Sequence, residues 1–279
     1  MHDYYFVKNN FVERIVPIGI LRFLQRIRPK TSTNYSLERI DDVDISIQDS
    51  LERHIKRISF EISNTCNYTK IHPECPVSWY GDKLTLKKEV LFKIIDELSL
   101  YDYSGFIAFH RYNEPMINKE RLFSYIKYVN QKLPDAKIVI LTNGSYLFQE
   151  DLERFEDYKI WSISVSSYTK EEHYRLKKLV TKIPYQVFYS LLDDRESIYT
   201  REPIDLNVPC FATIRDITVN VYGQVSLCCY DWDNQVVFGD LNRQSLKEVL
   251  NSDGFLTAHK DLTNGRRNYE ICKRCNTYR

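Results

Sequence analysis

Near its end the chain reads Ile271-Cys272-Lys273-Arg274-Cys275-Asn276, closing a set of four cysteines that begins at Cys210 and passes through Gly223-Gln-Val-Ser-Leu-Cys228. The four have 17, 43 and 2 residues between them, and Gly223 stands five positions before the second. A gap of two residues lets Cys272 and Cys275 share one metal or cluster from a tight turn. Four thiolates suit zinc or an iron–sulfur cluster, and the spacing alone leaves both open. Working back from Cys228, residues 217–227 read as a β-hairpin turning at Tyr222-Gly223, which delivers Cys228 at the end of its second strand. Beyond it, Ser245 and Glu248 form a capping box for a helix. A further helix over 255–262 stops at Asn264-Gly265. Arg266 and Arg267 stand near Cys272 in sequence, where they would either offset a thiolate-bound cluster or lie solvated.

The composition sets the frame. With 279 residues, 43% of them hydrophobic, the chain can bury one large core, alone or with an appendage. A net charge of +1 argues against a dedicated nucleic-acid partner. Seven cysteines with no secretory signal point to a reducing compartment, hence the cytoplasm, and against disulfides. Only 8 glycines are present, and none forms a phosphate-binding loop of Walker or dinucleotide type.

Residues 56–205 alternate between strand and helix patterns. Strands are predicted at 57–62, 105–110, 137–141, 160–165 and 185–190. Helices are predicted at 86–98, 118–132, 149–158 and 170–182. Repeated strand–helix units imply parallel strands joined by right-handed crossovers, in an open sheet or a complete or partial barrel. The site then belongs at the C-terminal ends of the strands. Polar residues fall there: Asn64, Cys66 and Asn67 after the first strand, His110, Arg111, Asn113 and Glu114 after the second, Asn143 after the third, and Ser164 and Ser166 at the fourth. Tyr168, His173 and Arg175 follow without an evident place.

Residues 1–55 form an N-terminal extension. Its apolar window, 11–24, is broken by Glu13, Arg14, Pro17 and Arg22 and cannot span a bilayer. A short amphipathic helix over 18–27 would pack on the body of the protein, or contact a partner or a membrane surface.

Taken together, Glu-Ile-Ser-Asn-Thr-Cys66-Asn, Tyr112-Asn-Glu114-Pro115, Thr142-Asn143-Gly144 and the four tail cysteines resemble a radical S-adenosylmethionine (SAM) enzyme with a SPASM or shortened twitch domain. The resemblance covers residues 57–279. It implies an α/β fold: a partial (β/α)6 TIM-like barrel over 56–205, then a small β-hairpin plus helix auxiliary-cluster domain over 206–279. It implies that Cys210, Cys228, Cys272 and Cys275 ligate an auxiliary [4Fe–4S] cluster. Asn113 and Glu114 match a Gly-Gly-Glu-Pro segment whose carboxylate meets the SAM amino group, with Asn113 in place of a glycine. Asn143 and Ser164 match positions near the SAM ribose and carboxylate. Arg201 is a candidate to accept a proton.

One motif departs from the family. The expected Cys-x3-Cys-x2-Cys loop here runs from Cys66 to Cys75 with two extra residues and no middle cysteine. Lys70 stands at one count and His72 at the other. An ammonium is a poor ligand near neutral pH. In one reading Cys66, His72 and Cys75 hold the SAM-binding cluster, imidazole being known on iron–sulfur centres, where it raises the potential. In the other the first cluster is lost and the chain is a degenerate relative serving as a binding subunit. Cys229 is the remaining thiol, held near the tail by Cys228.

As an enzyme the protein would use a 5′-deoxyadenosyl radical to oxidise or epimerise a small polar substrate of the sugar or cyclitol kind, with flavodoxin or ferredoxin as electron donor. Peptide modification is a third reading.

Overall fold

The computed structural model describes residues 55–72, 75–79, 81–190, 205–265 and 268–275. All of them lie in one compact unit. The N-terminal extension, Arg201, Arg266 and Arg267 lie outside the described residues.

Five parallel strands form the N-terminal part: β1 (Arg57–Phe60), β2 (Phe106–Ala108), β3 (Lys137–Thr142), β4 (Ile160–Ser167) and β5 (Tyr185–Tyr189). They are ordered β5-β4-β3-β2-β1. Helices α1 (Lys88–Ser99), α2 (Lys119–Lys132), α3 (Gln149–Glu156) and α4 (Lys170–Leu176) connect them. Among the described residues the sheet is not closed into a barrel. The stretch where a sixth barrel strand would fall, 191–204, is outside the described residues.

The tail continues this sheet instead of forming a separate one. After a short helix, α5 (Ala212–Arg215), strand β6 (Asp216–Val219) pairs in parallel with β1. Strands β7 (Gln224–Ser226) and β8 (Val237–Asp240) then add antiparallel. Gly223 turns the hairpin at φ +81°, a conformation glycine adopts without steric cost. Helices α6 (Leu246–Leu250), α7 (Asp253–Thr263) and α8 (Glu270–Arg274) follow. The α6 capping box is present, and the Glu97 carboxylate of α1 also accepts from the Leu246 and Lys247 amides at 2.8 and 2.7 Å. Exposed amides at a helix start are thus satisfied by the first half of the chain.

The strands separate two faces. Ile58, Phe60, Ile107, Ile138, Ile140, Ile163, Val165, Ile217 and Val219 pack against α1–α3 in the main core. The alternate residues line the inner face, as the two-residue period of a strand requires.

Helix α4 is shorter than its pattern predicted, ending at Leu176 instead of running to 182. Side chains of α3 capture the following backbone. Gln149 exchanges two hydrogen bonds with Val180, and Glu156 accepts from the Lys182 amide at 2.8 Å. Those bonds replace the helical ones.

Candidate active site at the strand ends

The first cysteine loop leaves β1 and folds into a single turn. The amides of Ile71 and His72 both donate to the Tyr68 carbonyl, at 2.9 and 2.7 Å, and the Cys75 amide donates to the His72 carbonyl at 3.1 Å. His72 is buried, with the Tyr168 ring 6.0 Å from its own. Tyr168 also packs on Tyr68 at 5.1 Å, so this residue, unplaced by the sequence, covers the loop. The Tyr68 hydroxyl donates to Glu172 of α4, which also accepts from Ser145 at 2.7 Å. Burial pushes the Cys66 thiol up to about 11, and the charges of Glu114 and Cys75 add to it. Cys66, Cys75 and Glu114 therefore share one neighbourhood.

Asn143 is the junction of that neighbourhood. Its side-chain amide donates to Asn67 Oδ1 at 2.8 Å and lies 3.7 Å from Cys66 Sγ. Its backbone N–H donates to Glu114 Oε2 at 2.6 Å. Glu114 Oε1 accepts from the Thr142 hydroxyl at 2.6 Å and the Met116 amide at 2.9 Å. A carboxylate offers about four lone-pair sites, so three donors leave capacity on Oε2. Burial raises the Glu114 carboxyl to about 7 against those donors. Gly144 holds φ +80°, and a Cβ there would stand 2.6 Å from Val165, so the turn presenting Asn143 admits only glycine. Arg175 ties the same turn down, donating to the Gly144 and Leu147 carbonyls at 2.7 Å each.

Asn113 serves the loop itself. Its side chain accepts from the Arg111 amide at 3.0 Å and donates to the Phe109 carbonyl at 3.1 Å. Among the described residues only Asp102 and Asn234 are non-glycines with positive φ, so asparagine at 113 sits without the glycine conformation. Ser164 lies buried on the inner face of β4, level with Leu141 and Gln186.

The tail brings its thiols together around Cys228. Its pKa stands well above the usual value, first through burial, then through the charges of Cys229, Cys210, Cys272 and Cys275. The Cys210 amide donates to the Leu262 carbonyl at 2.8 Å, and Cys272 packs with Leu227, Ala258, Leu262 and Ile271. Tyr112 reaches from the β2 loop to donate to the Cys229 carbonyl at 2.6 Å.

A buried arginine, paired within the first half, joins it to the tail. Arg111 lies 3.4 Å from Glu61 Oε2, donates to Asn234 Oδ1 at 2.8 Å, and also donates to the Asp231 carbonyl. The Asp231 carboxylate closes the tail turn by accepting from the Gln235 and Val236 amides at 2.9 and 3.0 Å. The sequence marked Arg111 as polar but gave no sign of this partner set, because its members are 50 to 123 residues apart in the chain.

Residues 210–276 match the family model of SPASM, an iron–sulfur cluster-binding domain. The S-adenosyl-L-methionine-dependent 2-deoxy-scyllo-inosamine dehydrogenase of Niallia circulans is 27% identical over 239 residues, covering 81% of this chain and 94% of that protein. The crystal structure of BtrN in complex with AdoMet and 2-DOIA aligns with a TM-score of 0.69 at 25% identity, covering 80% of this chain and 93% of that one. Native anSMEcpe with bound AdoMet aligns with a TM-score of 0.52 at 12% identity, over 79% and 86% of the two chains, a likeness of fold alone.

The fold is that of the radical SAM enzymes, and the tail is a SPASM domain.

Within the radical SAM fold the donor sets can be tested against the groups they would hold. Four tail cysteines, with a fifth beside them, fit the thiolate chemistry of an iron–sulfur cluster. The first loop offers two thiols and one buried imidazole, a mixed set that also fits iron. Among the described residues no three His, Cys, Asp or Glu side chains stand close enough to grip a metal ion as they are. No described helix is long and apolar enough to cross a membrane.

Proposed function

We propose that the protein is a radical SAM oxidoreductase acting on a small sugar-like or cyclitol-like molecule. The observation that carries this reading is the Asn143 junction, where the first cysteine loop, Glu114 and the third strand end meet through bonds of 2.6 to 3.7 Å. The SPASM tail and the dehydrogenase relative support it. When bound, a reduced [4Fe–4S] cluster and SAM supply a 5′-deoxyadenosyl radical that removes hydrogen from carbon.

The chain's own residues then have these roles. Cys66, His72 and Cys75 hold the first cluster, with Tyr168 and Tyr68 shielding the loop from water. Glu114 receives the SAM ammonium on its remaining acceptor site, a charge-assisted bond in a buried setting. Asn143 orients Glu114 and keeps the cysteine loop against it. Ser164 faces the ligand from β4. Cys210, Cys228, Cys272 and Cys275 hold the auxiliary cluster, and Tyr112 fixes the tail turn beside it. Arg201 is the candidate catalytic side chain that the resemblance implies, a fixed cation beside the reacting centre, and flavodoxin or ferredoxin is the electron donor.

A second reading, a non-catalytic binding subunit that keeps only the tail cluster, is favoured by the missing middle cysteine. Iron and sulfide content of anaerobically prepared protein tests both. Wild type should hold about eight irons, and Cys66→Ala with Cys75→Ala about four. His72→Ala should also lose iron from the first site. About four irons in both proteins would overturn the enzyme reading, and about one zinc without iron would overturn the cluster reading of the tail.

A further inference from the structure

The inner face of the sheet carries a row of small side chains in register. Ser162 pairs with Val139, Val139 with Ala108, Ala108 with Ser59, and Ser59 with Thr218. No member is larger than valine. Ser59 and Thr218 stand side by side on β1 and β6, 6% and 1% exposed. Neither hydroxyl, nor that of Ser162, has a hydrogen-bond partner among the described residues. None of these oxygens is among the fully buried atoms left without a partner, so each keeps some solvent contact and is open to a ligand.

The charged groups on the adjoining rows are already engaged. Toward the N-terminal ends of the strands, Arg57 is paired with Asp216 at 2.6 Å. On that same row the Lys137 ammonium lies over the Phe106 and Trp161 rings, 5.4 and 5.2 Å from their centroids. Toward the C-terminal ends, Glu61 is paired with Arg111. The row between them offers hydroxyls and no cation.

We infer that Ser59 and Thr218, with Ser162 across the sheet, form the floor that contacts the substrate, and that this floor takes the uncharged, hydroxyl-bearing face of a polyol ring in preference to a phosphorylated one. The inference rests on the function proposed above and adds the residues and the charge state of the ligand. Hydroxyls donate and accept, so each can match a ring hydroxyl in either sense. An anionic substituent against this row would be desolvated without a counter-ion.

The test is calorimetric titration of the full chain, reconstituted with iron and sulfide, kept oxidised and saturated with SAM. The probes are scyllo-inositol, myo-inositol and myo-inositol 1-phosphate. A neutral cyclitol should bind wild type at least tenfold more tightly than the phosphate. Ser59→Ala and Thr218→Val should each weaken it about three- to tenfold, while Thr218→Ser, which keeps the hydroxyl, should stay within about twofold. Iron content and SAM affinity should not change. Failure of SAM-loaded wild type to bind either neutral cyclitol, tighter binding of the phosphate, or unaltered affinity in both variants would overturn the inference while leaving the radical SAM reading intact. Failure of wild type to bind SAM would overturn that reading and this one with it.

Discussion

Trp79 and Trp232 meet edge to face with ring centroids 5.0 Å apart. Each stands four residues beyond a cysteine, Cys75 in the first loop and Cys228 in the tail turn. The indole pair therefore joins the two cysteine-bearing segments directly, beside the Arg111 bridge and the Tyr112–Cys229 bond. Trp79 is 46% exposed, so its area contributes modestly and the ring geometry contributes the rest. A double-mutant cycle of Trp79→Ala and Trp232→Ala in urea unfolding should give a coupling of about 0.5–1.5 kcal/mol. Additive effects would mean that the rings touch without holding the segments together.

Removing Arg111 should be far more damaging than removing an indole. Arg111→Met leaves the Glu61 carboxylate buried without its cation, and the unfolding free energy should fall by about 3–5 kcal/mol. Adding Glu61→Gln should recover a substantial part of that loss, because the uncompensated charge disappears. Urea denaturation of the single and double variants decides it. A double variant no more stable than Arg111→Met would show that the guanidinium acts through Asn234 and the Asp231 carbonyl alone.

Glu114→Gln should bind SAM at least tenfold more weakly. The amide removes the negative charge and places an N–H₂ where Oε1 or Oε2 now accepts from Thr142, Met116 or Asn143. Equilibrium binding of SAM to the iron-loaded protein measures it, with circular dichroism as the check that the fold survives. Unchanged affinity would remove Glu114 from the SAM site.

His173 sets an acid limit on stability. Burial, with the nearby Lys177 charge, lowers its pKa to about 4, against about 6.5 in the unfolded chain. The unfolded state therefore binds the proton more readily. The stability that follows is complete above about pH 6.5 and is lost as pH falls through about 4. Between pH 7 and pH 4.5 urea unfolding should show a loss of about 1–3 kcal/mol that His173→Gln lacks, glutamine retaining a partner for the Ser167 hydroxyl, now 2.8 Å from the imidazole. Parallel pH profiles for the two proteins would assign the acid sensitivity elsewhere.

The sequence by itself determined the alternation of β1–β5 with their helices, the capping box at Ser245 and Glu248, the Gly223 turn and the candidate thiolate set. Each depends on residues close in the chain, where a two- or 3.6-residue period or a short spacing is legible. It also marked Glu114 and Asn143, because polar residues at strand ends converge whenever the strands are parallel. Only the tertiary structure decided that β6 of the tail pairs with β1, so that the hairpin extends the first sheet. Only the structure paired Arg111 with Glu61 and Asn234, or set Trp79 against Trp232. Those contacts span 50 to 159 residues, and no local pattern encodes which distant strand edge or buried charge will be met. The register that lines up Ser162, Ser59 and Thr218 belongs to the same class, since strand pairing across five strands fixes which hydroxyls share a row.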